Sequence, residues 1–198
     1  MGNQAHRPPQ GLTPGRLILV KHGQPVIAPE IPRSQWALSA EGREAAVALA
    51  GRLAAFSPRA LFASSEPKAY DTGQAMGQVL GLTVQRDADL HEHRADHNRF
   101  ITTPGGIEAL IEAALRNPDR LVMGEETGAS ARARFAGAMA RVAASGEGTK
   151  VVVAHGRIIT FWLSARLGFD PVPFWRRLGL GSAAVLTEDG SGFDILDP

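Results

Sequence analysis

The chain has 198 residues, 44% of them hydrophobic and 21% charged, enough to bury a sizeable core in one globular domain. Its net charge of +1 gives bulk electrostatics no reason to draw it to nucleic acid or to an acidic membrane. It has no cysteine, which excludes disulfides, thiolate catalysis and cysteine-based zinc sites and fits a reducing, cytoplasmic location.

Residues 1–15 are rich in proline and glycine and lack the apolar stretch of a signal peptide, so they read as a flexible leader ahead of a domain spanning 16–198. No apolar run is long enough to span a bilayer. Leu17–Val20 reads as a short buried strand. Ser39 caps a helical stretch that runs to about Phe56, with Glu41 at the positive end of its dipole and Ala46, Leu49, Ala50 and Leu53 at core spacing. Ala60–Ala63 is a second strand. Ser65-Glu-Pro67 opens a second helix that ends at Gly81, and Leu82–Gln85 is a third strand. Residues 87–104 are polar and irregular. Helices follow over Gly105–Leu115, stopped by Asn117-Pro118, and over Glu126–Ala144. Val151–Ala154 is strand and Ile158–Leu167 helix. Ala183–Thr187 and Phe193–Leu196 make a hairpin around Glu188-Asp-Gly190. This alternation argues for a three-layer α/β/α domain with a mostly parallel central sheet.

Two segments near opposite ends share one signature, an apolar run stopped by His-Gly. They are Arg16-Leu-Ile-Leu-Val-Lys-His22-Gly23 and Lys150-Val-Val-Val-Ala-His155-Gly156. A strand ending this way delivers an imidazole to its carboxyl end, where open α/β sheets bind ligands. The following glycine tolerates positive φ and leaves room for something to approach. Strand alternation places Lys21 and His22 on opposite faces, but a chain already turning lets both reach one pocket. Lys68, in the first turn of its helix, opposes the helix dipole, so it reads either as a solvated side chain or as one that an anionic ligand there would compensate. Two lysines and two histidines that converge suit a phosphoryl group, with about two negative charges.

Val20-Lys-His-Gly-Gln24 resembles the Leu-Val-Arg-His-Gly-Glu motif of the histidine phosphatase superfamily, the phosphoglycerate-mutase-like proteins. Trp36-Ala-Leu-Ser-Ala-Glu-Gly42 is similar to the segment opening that family's first helix. Ser64-Ser-Glu-Pro-Lys-Ala-Tyr-Asp-Thr72 is similar to its Ser-Pro-x-x-Arg-Ala-x-x-Thr segment. Asp89-Leu-His-Glu92-His looks like its acid-bearing Leu-x-Glu segment, Gly124-Glu-Glu-Thr127 like its Gly-Glu-Ser/Thr helix start, and Val152-Val-Ala-His155-Gly like its second-histidine motif. The resemblance implies a phosphate-monoester phosphatase working through a phosphohistidine, with no cofactor and no metal. His22 is then the nucleophile, neutral at the attacking nitrogen with the other tied to a backbone carbonyl. His155 donates to the phosphoryl oxygens, and Lys21 and Lys68 neutralise them. Glu92 serves as general acid and then base, a role favoured by a raised pKa. The expected partner is a phosphorylated small molecule or a phosphoprotein.

The family pattern has arginine where this chain has Lys21 and Lys68, so charge is kept and the bidentate fork is lost. Alternatives in function are a non-catalytic phosphate-binding or scaffold protein of the same fold, and a phosphomutase. His91, His93 and His97 with Asp96 offer a metal-site alternative to their reading as a solvated loop. Arg132, Arg134 and Arg141 read as the solvated face of an alanine-rich helix. Arg157 follows the second His-Gly and is a secondary candidate for the pocket. The loop 24–32 and the segment 93–106 are expected to line the entrance. Substrate identity and oligomeric state are left open.

Overall fold

The computed structural model describes residues 15–96 and 106–198. The expected leader, apart from Gly15, and His97 of the histidine cluster lie outside the described residues. Strands β1 (Leu17–Lys21), β2 (Pro58–Ser64), β3 (Val84–Asp87), β4 (Thr149–Ala154), β5 (Ala183–Leu186) and β6 (Phe193–Leu196) form one sheet in the order β3-β2-β4-β1-β5-β6. The pairs β3/β2, β2/β4 and β4/β1 are parallel, while β1/β5 and β5/β6 are antiparallel. The sheet is therefore mostly parallel, and the C-terminal hairpin expected from Glu188-Asp-Gly190 is added to its edge beside β1.

Period-2 alternation sorts each central strand between two cores. Ile18, Val20, Val151 and Val153 face α1 (Ala40–Leu53) and α2 (Pro67–Leu80), where they meet Leu49, Leu53 and Met76. Leu19, Val152 and Ala154 face the other way, onto Phe135 of α4 (Gly128–Ala144), Ile158 and Leu163 of α5 (Gly156–Leu167) and Phe174 of α6 (Pro171–Arg177). A smaller cluster joins α3 (Gly106–Arg116), through Ala114 and Leu115, to Met123, Phe161 and Val172. Among the described residues no helix is long and apolar enough to cross a membrane.

Local signals place the helix ends. Ser39 Oγ accepts the Gly42 N–H at 3.0 Å, Thr127 Oγ1 accepts that of Ser130 at 3.1 Å, and α2 begins at Pro67 and stops on Gly81 at φ +67°. Helix α6 was not anticipated, because seven residues are too few to show a period. Its Asp170-Pro171 start, with Asp170 accepting the Val172 N–H at 3.1 Å, is the one local cue.

Four parallel strands in a row end at the same edge of the sheet. The register pairs Lys21 with Ala154, so His22 and His155 come next on neighbouring strands, and the His22 N–H donates to the Ala154 carbonyl at 3.0 Å. β2 ends at Ser64, the third strand of the row, and β3 leads into the 88–96 segment.

Candidate active site

A cavity of about 600 Å³ opens at this carboxyl edge, lined by Lys21, His22, Glu66, Lys68, Glu92 and Arg157 among others. Each of the four parallel strands, or the turn that follows it, thus supplies the cavity or the ground beneath it, as expected for an open α/β sheet.

His22 is buried with 7% of its surface exposed, and its Nδ1 lies 2.8 Å from the Gly23 carbonyl. A carbonyl only accepts, so Nδ1 carries the hydrogen and a neutral ring leaves its lone pair on Nε2. Burial first, and then the Lys68 ammonium, push the His22 pKa down to about 3. His155 lies edge-on to it, ring centroids 5.1 Å apart, fully buried and behind the cavity wall. Its Nε2 is 2.9 Å from Ser64 Oγ, and its buried Nδ1 has no partner among the described residues. Burial, Lys68 and His22 hold its pKa well below the usual imidazole range.

The glycines after the histidines serve close approach; neither adopts positive φ. A Cβ on Gly23 would meet the Gly42 carbonyl oxygen at 2.5 Å, so the histidine loop presses directly on the first turn of α1. A Cβ on Gly156 would meet Lys21 Cε at 3.1 Å, which makes the second glycine the seat of the first segment's lysine. The Gly23 N–H donates to Thr72 Oγ1 at 3.0 Å, tying the loop to α2.

Lys21 and His22 do reach one pocket. Lys21 Nζ donates to the Leu178 carbonyl at 2.9 Å, and burial lowers its proton affinity while Glu92 partly restores it. Lys68 is 6% exposed, and its Nζ donates to the Arg33 carbonyl at 2.9 Å and to Glu66 Oε2 at 2.5 Å.

Glu92 departs from expectation. Its Oε1 accepts the His93 and Ile158 N–H groups, both at 2.9 Å, and its Oε2 accepts the Arg157 N–H at 3.2 Å with Arg157 Nε at 3.4 Å. Burial acts to raise its pKa, but Arg157 and these backbone donors outweigh burial and hold it below the usual glutamate value. Glu92 is thus a carboxylate seated on the N-terminus of α5. The segment that carries it is clamped from α4. Arg134 donates to the carbonyls of Asp89 at 2.7 Å, His91 at 3.0 Å and Glu92 at 3.3 Å, and to Glu126 Oε1 at 2.8 Å. Arg134 is therefore no part of a solvated face. Arg141 binds Asp87 and Asp89. The solvated-loop reading fails for His93 and holds only in part for His91, while His97 lies outside the described residues. His93 is 2% exposed with Nε2 at 2.8 Å from the Glu126 carbonyl, and His91 is half-buried on the Glu92 carbonyl at 2.6 Å. Among the described residues no group of three or more His, Asp or Glu could hold a metal.

The family model for the histidine phosphatase superfamily (branch 1) matches residues 17–197. The chain belongs to that superfamily. Mycobacterial glucosyl-3-phosphoglycerate phosphatase is 26% identical, with a TM-score of 0.70 over 92% of this chain and 97% of that one. The same enzyme in complex with inorganic phosphate is 26% identical, with a TM-score of 0.68 over 92% of this chain and 95% of that one. TTHB049 from Thermus thermophilus shares the fold, at 21% identity and a TM-score of 0.67 over 92% and 99% of the two chains. No curated protein matches.

Within this superfamily fold, Lys21, His22, Lys68, Glu92 and Arg157 line one cavity, and His155 backs it. Of the expected entrance, Pro25 and His93 to Asp96 line it, and 97–105 lie outside the described residues. Sequence reasoning missed Glu66, which sits two residues before Lys68. It also missed Arg33, Ser34 and Trp36 beyond the proline loop, and Trp175 of α6. The acidic residue beside a lysine at a helix start was the available signal for Glu66.

Proposed function

We propose that this chain is a phosphatase that hydrolyses phosphate monoesters through a phosphohistidine on His22. One observation carries the reading. Gly23 takes the Nδ1 hydrogen, and the buried ring stays neutral far below pH 7, so Nε2 faces an electrophile with its lone pair free. The two mycobacterial phosphatase structures, one with inorganic phosphate bound, support the same class of substrate.

Nε2 attacks phosphorus, the bond to the leaving oxygen breaks, and that oxygen takes a proton from Glu92. Water then attacks the phosphohistidine and gives its proton to the Glu92 carboxylate. The N–P electrons return to Nε2, releasing phosphate. Glu92 is ionised at rest, so the acid step needs help. A phosphoryl group brought beside it adds negative charge and raises its pKa toward use. Ser64 Oγ accepts the Glu66 N–H at 3.2 Å and turns its own hydrogen to His155 Nε2, which leaves a hydrogen on the unpartnered Nδ1 for a phosphoryl oxygen. Lys21 and Lys68 supply the fixed positive charge.

The test is a screen of phosphorylated metabolites and phosphopeptides, followed by rapid quench with a labelled substrate. The expected product is an acid-labile, base-stable phosphoenzyme. Phosphate binding without turnover of any monoester would favour the non-catalytic binding protein instead.

A further inference from the structure

Lys68 is not alone in the pocket. Glu66 and Lys68, 9% and 6% exposed, form a buried ion pair across Pro67 at the start of α2. Glu66 touches four of the residues around the site. Its N–H holds Ser64 Oγ at 3.2 Å, its Oε1 accepts the Glu92 N–H at 2.8 Å and lies 3.6 Å from His155 Nε2, and its Oε2 takes Lys68 Nζ. A carboxylate on the floor of an anion pocket opposes binding, so its presence needs a compensating use. Lys68 already gives one hydrogen to the Arg33 carbonyl and one to Glu66, which aims its third.

We propose that Glu66 is a positioning residue that makes the phosphoryl pocket specific for lysine at position 68. Lysine is a mobile point charge, and two fixed acceptors turn it into a directed single donor. Arginine at 68 would meet the Glu66 carboxylate fork to fork and be drawn onto it, away from the phosphoryl group. The Glu66-Pro67-Lys68 triplet thus replaces, as a unit, what one arginine does in the family pattern. This inference rests on the phosphatase reading.

The experiment compares Glu66→Gln, Lys68→Arg, the Glu66→Gln/Lys68→Arg double variant and Glu66→Gln/Lys68→Met. Readouts are kcat, KM, inhibition by inorganic phosphate and the melting temperature. In Glu66→Gln, kcat falls about tenfold while inorganic phosphate binds severalfold tighter, since one negative charge has left the pocket. Lys68→Arg alone loses about tenfold in kcat, and combining it with Glu66→Gln recovers most of that loss. A merely structural role would lower kcat and weaken phosphate together, and that result overturns the proposal. Full activity of Lys68→Arg with Glu66 in place overturns it too. Should Glu66→Gln fail to fold, Glu66→Gln/Lys68→Met, which buries no lone charge, shows whether the unpaired lysine was the cause, and Lys68→Arg still decides. Wild type with no turnover sinks the phosphatase reading alone, because the phosphate-affinity arm continues to test Glu66.

Discussion

His22 and His155 end neighbouring parallel strands, one residue past a paired position, and each is followed by glycine. Their surroundings differ. His22 stands on the cavity wall with Nδ1 tied to its own loop and Nε2 free. His155 lies fully buried, with Nε2 on Ser64 and Nδ1 unpartnered. Gly23 packs on the backbone of α1, and Gly156 packs on the stem of Lys21. A repeated motif therefore delivers two imidazoles to one edge and assigns them no common task. The two rings have different hydrogen-bond partners, the Gly23 carbonyl for His22 and Ser64 at the end of β2 for His155, and in the proposed mechanism this makes one a nucleophile and the other a donor.

The largest effect that tests this difference is on catalysis. His22→Ala should abolish phosphoenzyme formation and cut kcat by about 10⁴-fold or more, whereas His155→Ala should cost about 10²–10³-fold and still form the phosphoenzyme. Quench-flow with labelled substrate reads both. A phosphoenzyme that survives in His22→Ala and vanishes in His155→Ala would exchange their roles.

Glu92 sharpens the comparison by asking which ring it serves. Glu92→Gln should slow single-turnover phosphorylation by an alkyl phosphate about a hundredfold, and by an activated aryl phosphate much less, because an aryl oxide leaves with little need of a proton. Equal losses on the two substrates would remove Glu92 from the acid role. Asp96, at the cavity and bound to Ser34 through its carboxylate, would be the next carboxylate to examine.

The two glycines predict unequal stability. Gly23→Ala pushes a methyl group against the Gly42 carbonyl, where backbone must move, and should cost about 2–3 kcal/mol. Gly156→Ala meets the flexible Lys21 stem and should cost about 1 kcal/mol or less while shifting that lysine in the pocket. Denaturant midpoints of the two variants decide it, and equal costs would mean the two loops are equally compliant.

The most gradual effect is the response to acid. Burial holds both rings neutral when folded, His22 down to about 3 and His155 well below normal. The unfolded chain takes up those protons below about pH 6.5, so folded-state stability is flat above that pH and falls below it toward pH 3. Each ring costs up to about 1.4 kcal/mol per pH unit in that window. Glu92, with a lowered pKa, loses its contribution only as pH falls below the usual glutamate value. Between about pH 6.5 and 5 the slope therefore belongs to histidine. It should flatten in either His→Ala variant relative to wild type, and an unchanged slope in both would show that the rings protonate in place.

Sequence alone was enough for most of the elements and for which of them would meet. Apolar runs of four or five residues, Ser39, Pro67 and the glycine stops mark short strands and capped helices through local sterics and hydrogen bonding, which act within a few residues. The twin His-Gly endings were legible because strand-end placement follows from the order of residues. Everything that depends on a partner far along the chain waited for the fold. Arg134 turns inward from α4 to hold the 89–92 segment, Glu66 grips the Glu92 backbone, and the α5 N-terminus keeps Glu92 ionised. The last two of these join residues 26 and 66 positions apart. The raised pKa that would favour the acid role is absent for this reason. The polar neighbours of Glu92 in sequence gave no sign of its burial, and the Arg157 charge and the backbone N–H donors that outweigh that burial come chiefly from another helix, so only tertiary structure brings them to it.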